Sequence, residues 1–374
     1  MKKLLVLASL LTALLAGQAD AGITISGGNV VVMRVGAGST ALTNASTAMF
    51  LEERSGSTGS LVQTFAFDTT GANRLTMSGT ATSEGKIKWY NGNLAVTGYD
   101  SNAGVAAING TTSISVNRSI AVINTDTAAM TFTRLNDAYS ANNIRGAISD
   151  GTNIWTSGTA TGASSGVRHA TVGATTSTQL STTATNIRTV NIADGQLFAS
   201  HNSGASNRIM QVGVGLPTTA GNTMTGLAGI PNNTSNYDFF LADLDNAVAG
   251  SDTLFTTRGN FIDKYSLVSG TWNLNGSIDL GAETFGLSGI EQGGSVRFFA
   301  NTAGFVRGYD LTSAWNTSFT ATQLWTVNAG SNTAFRGVAA VPEPSSMALL
   351  GLVGLGGFAF RRFRTKKAQG TQTL

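Results

Sequence analysis

The sequence predicts an all-β fold, a β-propeller of about six four-stranded blades, or seven if one insertion hides another. Three observations predict it: a repeat of fixed period, a strand–turn–strand pattern inside each repeat, and a composition that suits short strands. Asn143-Ile144-Arg145 leads through Asp150-Gly151 to Ile154-Trp155, and Asn186-Ile187-Arg188 leads through Asp194-Gly195 to Leu197-Phe198. The offset is 43 residues, from Arg145 to Arg188 and again from Trp155 to Phe198. Asp-Gly is a strong hairpin signal because both residues tolerate positive φ. Repeats of about 40–50 residues holding four strands are the mark of a propeller, whose blades bury a core only when stacked. A right-handed β-helix also favours Gly, Asn, Ser and Thr, but its turn is much shorter than this period.

Composition agrees. Charged residues make up 11% of the 374-residue chain, against about 25% in typical globular proteins. There are 46 Gly and 4 Pro, and the polar surface is built from hydroxyls and amides. Long solvent-facing helices rely on Glu, Lys and Arg, so strands and turns are favoured. Cysteine is absent, which excludes disulfides, thiolate metal sites and a Cys nucleophile.

Weaker copies of the repeat follow. Gly226–Ile230 with Leu254-Phe255, and Gly286–Ile290 with Val296–Ala300, read as two further strand pairs. Upstream, Ile87–Trp89, Asn91-Gly92 and Leu94–Gly98 read as another. Segments such as Ile262–Val268 and Trp272–Ile278 continue a unit outward. Phe335–Ala339 looks like an inner strand whose partners are missing. Asn29–Val35, Ala48–Glu53 and Leu61–Phe67 would supply them and close the ring. The insertion around Tyr237–Leu241 is where a seventh blade would lie.

The ends differ from the body. Met1-Lys2-Lys3, the apolar run Leu4–Leu15 and Ala19-Asp20-Ala21 form the three parts of a secretory signal peptide, with cleavage expected after Ala21. Such a leader is a helix handled by the Sec translocon and signal peptidase. Near the C-terminus, Pro342-Glu343-Pro344 precedes the apolar stretch Met347–Phe360 and the basic cluster Arg361-Arg362. Those 14 residues would rise only about 21 Å as a helix, against a hydrocarbon core of about 30 Å. Position before a terminal basic cluster nevertheless marks a short transmembrane helix with its charges on the cytoplasmic side. The division is therefore 1–21 signal peptide, 22–341 propeller-like body and 342–374 sorting segment.

The C-terminal segment resembles the PEP-CTERM sorting signal of Gram-negative bacteria that make exopolysaccharide. Pro342, Glu343, Pro344, the Gly/Leu/Ala helix and Arg361-Arg362 carry the resemblance, in that order. It implies that an exosortase-like membrane peptidase removes the tail and releases the body to the cell surface or extracellular matrix. The body resembles uncharacterised propeller-like proteins bearing the same tag, through stretches such as Ala170–Leu180 and Thr333–Val338. That second resemblance implies no activity.

Chemistry is sparse. The sequence pI is 9.3, yet residues 22–341 hold 16 basic and 18 acidic residues, so no basic stripe is available to grip nucleic acid. His169 and His201 are the only histidines, too few for a zinc site. Asp238, Asp243, Asp245 and Asp252 form an oxygen-rich stretch that invites calcium, but their spacing misses the twelve-residue calcium loop. Glu52-Glu53, Glu84, Glu283 and Glu291 are scattered, and Glu52 and Glu53 would face opposite sides of one strand. No phosphate loop occurs. Arg145, Arg188 and Arg336 recur at one place in the repeat, either bonding neighbouring blades or lining a channel. Trp155, Phe198, Phe255 and Phe299 recur on the second strand as inter-blade core.

The expected function is thus a non-catalytic surface or matrix module with polysaccharide as partner and no cofactor, metal or catalytic residue. The rival is a secreted propeller lyase, glycosidase or lactonase. Propeller active sites draw on several blades, so a linear motif can be absent. Convergent Asp, Glu or His at the channel would mark that rival.

Overall fold

The computed structural model describes residues 20–203, 208–232, 236–292 and 294–343. The leader, with Ala19, and the tail from Pro344 through Arg361, Arg362 and the apolar stretch lie outside the described residues.

Six blades surround one axis. Blade 1 joins the two ends of the body: Ala334–Ala340 is innermost, followed by Val30–Val35, Met49–Arg54 and Leu61–Ala66. Blade 2 runs Lys88–Tyr90, Asn93–Tyr99, Arg118–Asn124 and Ala129–Leu135, with the backbone of Asp20–Ala21 paired on its outer edge. Blade 3 is Ile144–Ser149, Asn153–Gly158, Gly166–Thr171 and Thr178–Gln179. Blade 4 is Ile187–Ala193, Gln196–His201, Ile209–Val212 and Met224–Gly226. Blade 5 is Phe239–Ala242, Thr253–Arg258, Phe261–Val268 and Thr271–Asp279. Blade 6 is Gly286–Gln292, Ser295–Asn301, Phe305–Leu311 and Ala321–Asn328. Each innermost strand touches those of both neighbouring blades, so the ring is closed.

Closure follows the sequence pattern. Val30–Val35 pairs antiparallel with Ala334–Ala340 on one side and with Met49–Arg54 on the other. A sheet completed from both termini leaves no open inner edge, which matters for a chain without covalent staples. The hairpin signals hold in place, although at Asp150-Gly151 only Gly151 has positive φ and the turn from Ser149 to Asn153 is longer. Asn91-Gly92 and Asp194-Gly195 carry positive φ at both residues, the geometry of a two-residue turn matched to strand twist.

Two expectations are corrected. Among the described residues there is no seventh blade: the segment around Tyr237–Leu241 supplies the inner strand of blade 5. Gly226–Ile230 does not open a blade, because Met224–Gly226 is the outer strand of blade 4. The chain then crosses to the axis through a connection that bears no strand of its own among the described residues.

The core is divided among the blade interfaces. Six buried clusters occupy the six interfaces, one each. Between blades 5 and 6 the rings of Phe240, Phe255, Phe298 and Tyr309 stack in succession at 4.7, 5.7 and 5.0 Å. Trp155, Phe255 and Phe299 are fully buried on second strands, and Phe198 is half-buried. Burying each such side chain stabilises by roughly 1.5–3 kcal/mol, so stability is spread around the ring. Among the described residues no helix is long and apolar enough to cross a membrane.

Candidate functional site at the basic end of the channel

All six inner strands begin at the same end of the axis, and a local irregularity marks that beginning. In blades 3, 4 and 1 the register skips one residue: Arg145 between Ile144 and Gly146, Arg188 between Ile187 and Thr189, and Arg336 between Phe335 and Gly337. Each arginine is therefore the extra residue of a β-bulge, the device that re-aims a side chain out of the regular pleat. In blade 5 the N–H groups of Tyr237 and Asp238 both donate to Thr257 Oγ1. In blade 6 Phe285 donates to the Asn301 carbonyl while Gly286 pairs with the same residue. In blade 2, Lys86 donates its N–H to the Arg145 carbonyl just before the inner strand.

These positions make a ring of four cations and two aromatic rings. Lys86 Nζ lies 5.3 Å from the centre of Tyr237 and 5.5 Å from that of Phe285. Arg188 lies 4.5 Å above Tyr237, and Tyr237 meets Phe285 edge-on at 5.1 Å. Cations over aromatic faces gain from the ring quadrupole where water is excluded. Lys86, Arg145 and Arg336 are buried, whereas Arg188 keeps partial exposure.

Part of this ring is structural. Arg145 donates through Nη1 to Asn186 Oδ1 and the Ile187 carbonyl, tying blade 3 to blade 4. Arg336 donates to the Gly79 and Phe335 carbonyls, and Lys86 Nζ to the Arg336 carbonyl at 3.0 Å. The Nε–H groups of Arg145, Arg188 and Arg336, however, are all buried without a hydrogen-bond partner. Glu84 is the buried carboxylate close to the ring. Its oxygens are taken by Tyr99 Oη at 2.6 Å, Asn143 Nδ2 at 2.5 Å and the Ser78 N–H at 3.0 Å. Burial raises its pKa, opposed first by those hydrogen bonds.

The electrostatics follow from crowding. Burial pushes the Lys86 pKa well below the ordinary lysine value; Asp238 opposes this and Arg336, Arg188 and Lys88 add to it. Burial, then Arg188, lowers Arg145 to about 9, and burial lowers Arg336 to about 10. Both arginines stay charged at neutral pH.

Deeper along the axis the chemistry changes. Lys88 shares a strand face with Lys86, since alternate residues point the same way. It crosses the channel from blade 2 to blade 5, where Nζ meets Asp238 Oδ1 at 2.6 Å. It also donates to the Phe239 and Leu287 carbonyls. Asp238 accepts from the Phe239 and Leu287 N–H groups as well. The pair is buried and fully hydrogen-bonded, so it plugs the channel below the ring.

The other sequence candidates do not converge here. His169 sits on the third strand of blade 3, bonded to Asn153 and beside Trp155. His201 ends the second strand of blade 4. Asp238 faces Lys88, while Asp252 organises a loop by accepting from the Leu244 and Asp245 N–H groups. Among the described residues there is no group of three or more His, Cys, Asp or Glu that could hold a metal ion. Glu52 pairs with Arg34 and Arg54, and Glu53 turns the other way to Ser26, Asn29 and Gln63. Pro342 and Glu343 border a surface hollow with Trp89 and Asp126, at the far end of the channel from the ring. Sequence reading named three ring members and missed Lys86, Tyr237 and Phe285. The spacing of Lys86 and Lys88 was a signal that could have found the lysine.

Comparison with known proteins adds one assignment. Residues 340–364 match the PEP-CTERM protein-sorting motif. No curated protein matches the chain. Among solved structures, a provisionally named 6-phosphogluconolactonase of Bacteroides uniformis is similar at 11% identity, covering 80% of this chain and 99% of its own, with a TM-score of 0.44. A second one, of Bacteroides fragilis, is similar at 10% identity, covering 83% and 97%, with a TM-score of 0.46. TolB of Acinetobacter baumannii is similar at 10% identity, covering 84% and 67%, with a TM-score of 0.47. Likenesses this distant carry nothing about activity. The chain is an exported six-bladed β-propeller that carries a PEP-CTERM protein-sorting motif at its C-terminal end.

Proposed function

We propose that this protein is a non-catalytic binding module of the cell surface or extracellular matrix, delivered there by its two terminal signals. In this reading the Sec translocon and signal peptidase handle residues 1–21. An exosortase-like peptidase removes the segment from Pro342 through Arg361-Arg362, and the partner is a surface or matrix polysaccharide. The observation that carries it is the state of the channel. Both buried carboxylates beside the axis, Glu84 and Asp238, already hold donors, so neither stands ready as a general base. That weighs against the propeller-enzyme reading.

The exit point of the sorting segment supports a binding face. Ala334–Ala340 runs from the basic ring toward the opposite end, where Val341 exchanges hydrogen bonds with Gly28 and Asn29. A body tethered through its tail would hold the basic end away from the membrane. The test is intact mass and terminal sequencing of the protein from membrane and extracellular fractions. An extracellular form beginning at Gly22 and ending near Pro342 supports the reading. A form confined to the inner membrane with Arg361-Arg362 retained contradicts it.

A further inference from the structure

We infer that the ring of Lys86, Arg145, Arg188 and Arg336 is a receptor for a compact oxyanion, the phosphate or carboxylate group of a small polar ligand. The inference rests on the reading of this protein as a binding module and adds the ligand class.

Four successive blades, from blade 1 to blade 4, place a cation at the same position, and three of the four are bulged out of register. Structural bridging accounts for Nη1 of Arg145 and, with a bond back to the Phe335 carbonyl, for both Nη groups of Arg336, as it does for the Lys86 amino group. It does not account for three buried Nε–H donors at equivalent places. An unmatched buried donor on a charged group is costly; the Nε–H groups of Arg74, Arg208 and Arg307 are unmatched as well, at unrelated places, whereas those of Arg145, Arg188 and Arg336 occupy one place in the repeat. Glu84 does not serve as that partner, since its oxygens are occupied by Tyr99, Asn143 and Ser78. An oxyanion would take the spare donors in charge-assisted bonds and offset the repulsion among the cations.

The geometry also limits the ligand. The two aromatic members are backed by cations and by each other, so they are not free stacking platforms. The Lys88–Asp238 pair closes the channel below, and Arg188 alone of the four cations keeps partial exposure. The ligand therefore presents one anionic group from the Arg188 side and does not thread the channel.

The test is calorimetric titration of the full chain in mild detergent with inorganic phosphate, glucuronate and neutral glucose. The variant is Arg188→Gln, because the Arg188 side chain makes no hydrogen bond to a neighbouring blade and reaches blade 5 only through its contact over the Tyr237 ring, so its loss should spare the fold. Arg297→Gln, which removes a partly exposed charge paired with the exposed Asp310 on blade 6, is the control for general attraction. Phosphate or glucuronate binds the parent chain and glucose does not. Arg188→Gln weakens binding about 10-fold or more, Arg188→Lys restores part of it, and Arg297→Gln leaves it unchanged. Tighter binding of phosphate or of glucuronate identifies which oxyanion the site prefers. Binding of neither anion, or equal loss in both Gln variants, overturns the inference. Cell fractionation is read separately: a surface-located protein that binds neither anion sinks this inference and leaves the export reading standing.

Discussion

The two ends of the channel carry opposite charge. Where the inner strands begin stand Lys86, Arg145, Arg188 and Arg336. Where they end stand Asp194, Asp243 and Glu291, from blades 4, 5 and 6. At that second end Glu291 accepts the Asp243 N–H at 2.8 Å, and Asp194 accepts the Ser251 N–H at 2.7 Å. Asp194 and Glu291 thus satisfy backbone donors of the blade 5 loop and are exposed, while Asp243 keeps one buried oxygen, Oδ1, without a partner. The cations at the first end are mostly buried, and three of them keep a donor unpaired. The difference teaches that charge of either sign is tolerated at the axis. The carboxylates that hold loops are matched locally, and the basic end gathers three unmatched donors at one place in the repeat.

The boundary between the ends is the Lys88–Asp238 pair, and breaking it has the largest expected effect. Lys88→Met leaves a buried carboxylate unpaired and should cost about 3–5 kcal/mol in urea unfolding. Lys88→Met combined with Asp238→Leu should recover much of that loss, because an apolar pair replaces two desolvated charges. Equal losses in the single and double variants would mean the pair does not separate the two ends.

Next in size is the closing strand that positions Arg336. A Cβ at Gly337 would collide with the Gly85 carbonyl oxygen, backbone against backbone. Gly337→Ala should lower stability by about 1–3 kcal/mol and weaken anion binding as the Arg336 bulge shifts. Unchanged stability and binding would mean that this contact does not set the ring.

The pH response sharpens the comparison because the ends have opposite signs. Lys86 has a folded pKa below its unfolded value, so between the two the unfolded chain binds more protons and stability rises with pH. Glu291 has a folded pKa raised by burial, held back by the Asp243 N–H bond and pushed up again by the charges of Asp243, Asp194 and Asp252. Its contribution is therefore present at low pH and is lost as pH rises from the ordinary carboxylate range through the raised value. Glu291→Gln keeps an acceptor for the Asp243 N–H and should raise neutral-pH stability by at most about 0.5 kcal/mol, since water screens this exposed side chain. A decrease on this substitution would contradict the assignment. Smallest of all, Arg297→Ala removes a rim pair with Asp310 and should change stability by about 0–1 kcal/mol in the same assay.

Much of this architecture was legible in the sequence, and its failures share a cause. The 43-residue copies gave blades 3 and 4 their inner hairpins, and Phe335-Arg336-Gly337-Val338 announced the closing strand because it repeats the arginine signature. Blade 5 was misplaced because Tyr237 stands where that arginine would be. The run Phe239-Phe240-Leu241, one hairpin before Leu254-Phe255, was the better guide. Blade 6 hides its ring position behind Phe285 in the same way. The bulges, and hence the direction of the arginines, depend on register between strands far apart in the chain, which periodicity does not encode. The pairing of Lys88 with Asp238, 150 residues later, likewise exists only once the ring closes.

The central claim is that the basic end holds spare positive charge awaiting an anion, and Lys86 reports on it directly. Residues 22–341 contain three lysines, Lys86, Lys88 and Lys264, so NMR titration of ε-carbon-labelled lysine would give few signals to assign. Lys264, which burial lowers to about 8, serves as the internal reference away from the ring. The account predicts that Lys86 titrates well below the ordinary value of 10.5 and moves upward when phosphate or glucuronate is added, while Lys264 stays put. A Lys86 that titrates near 10.5, unmoved by either anion, would contradict it.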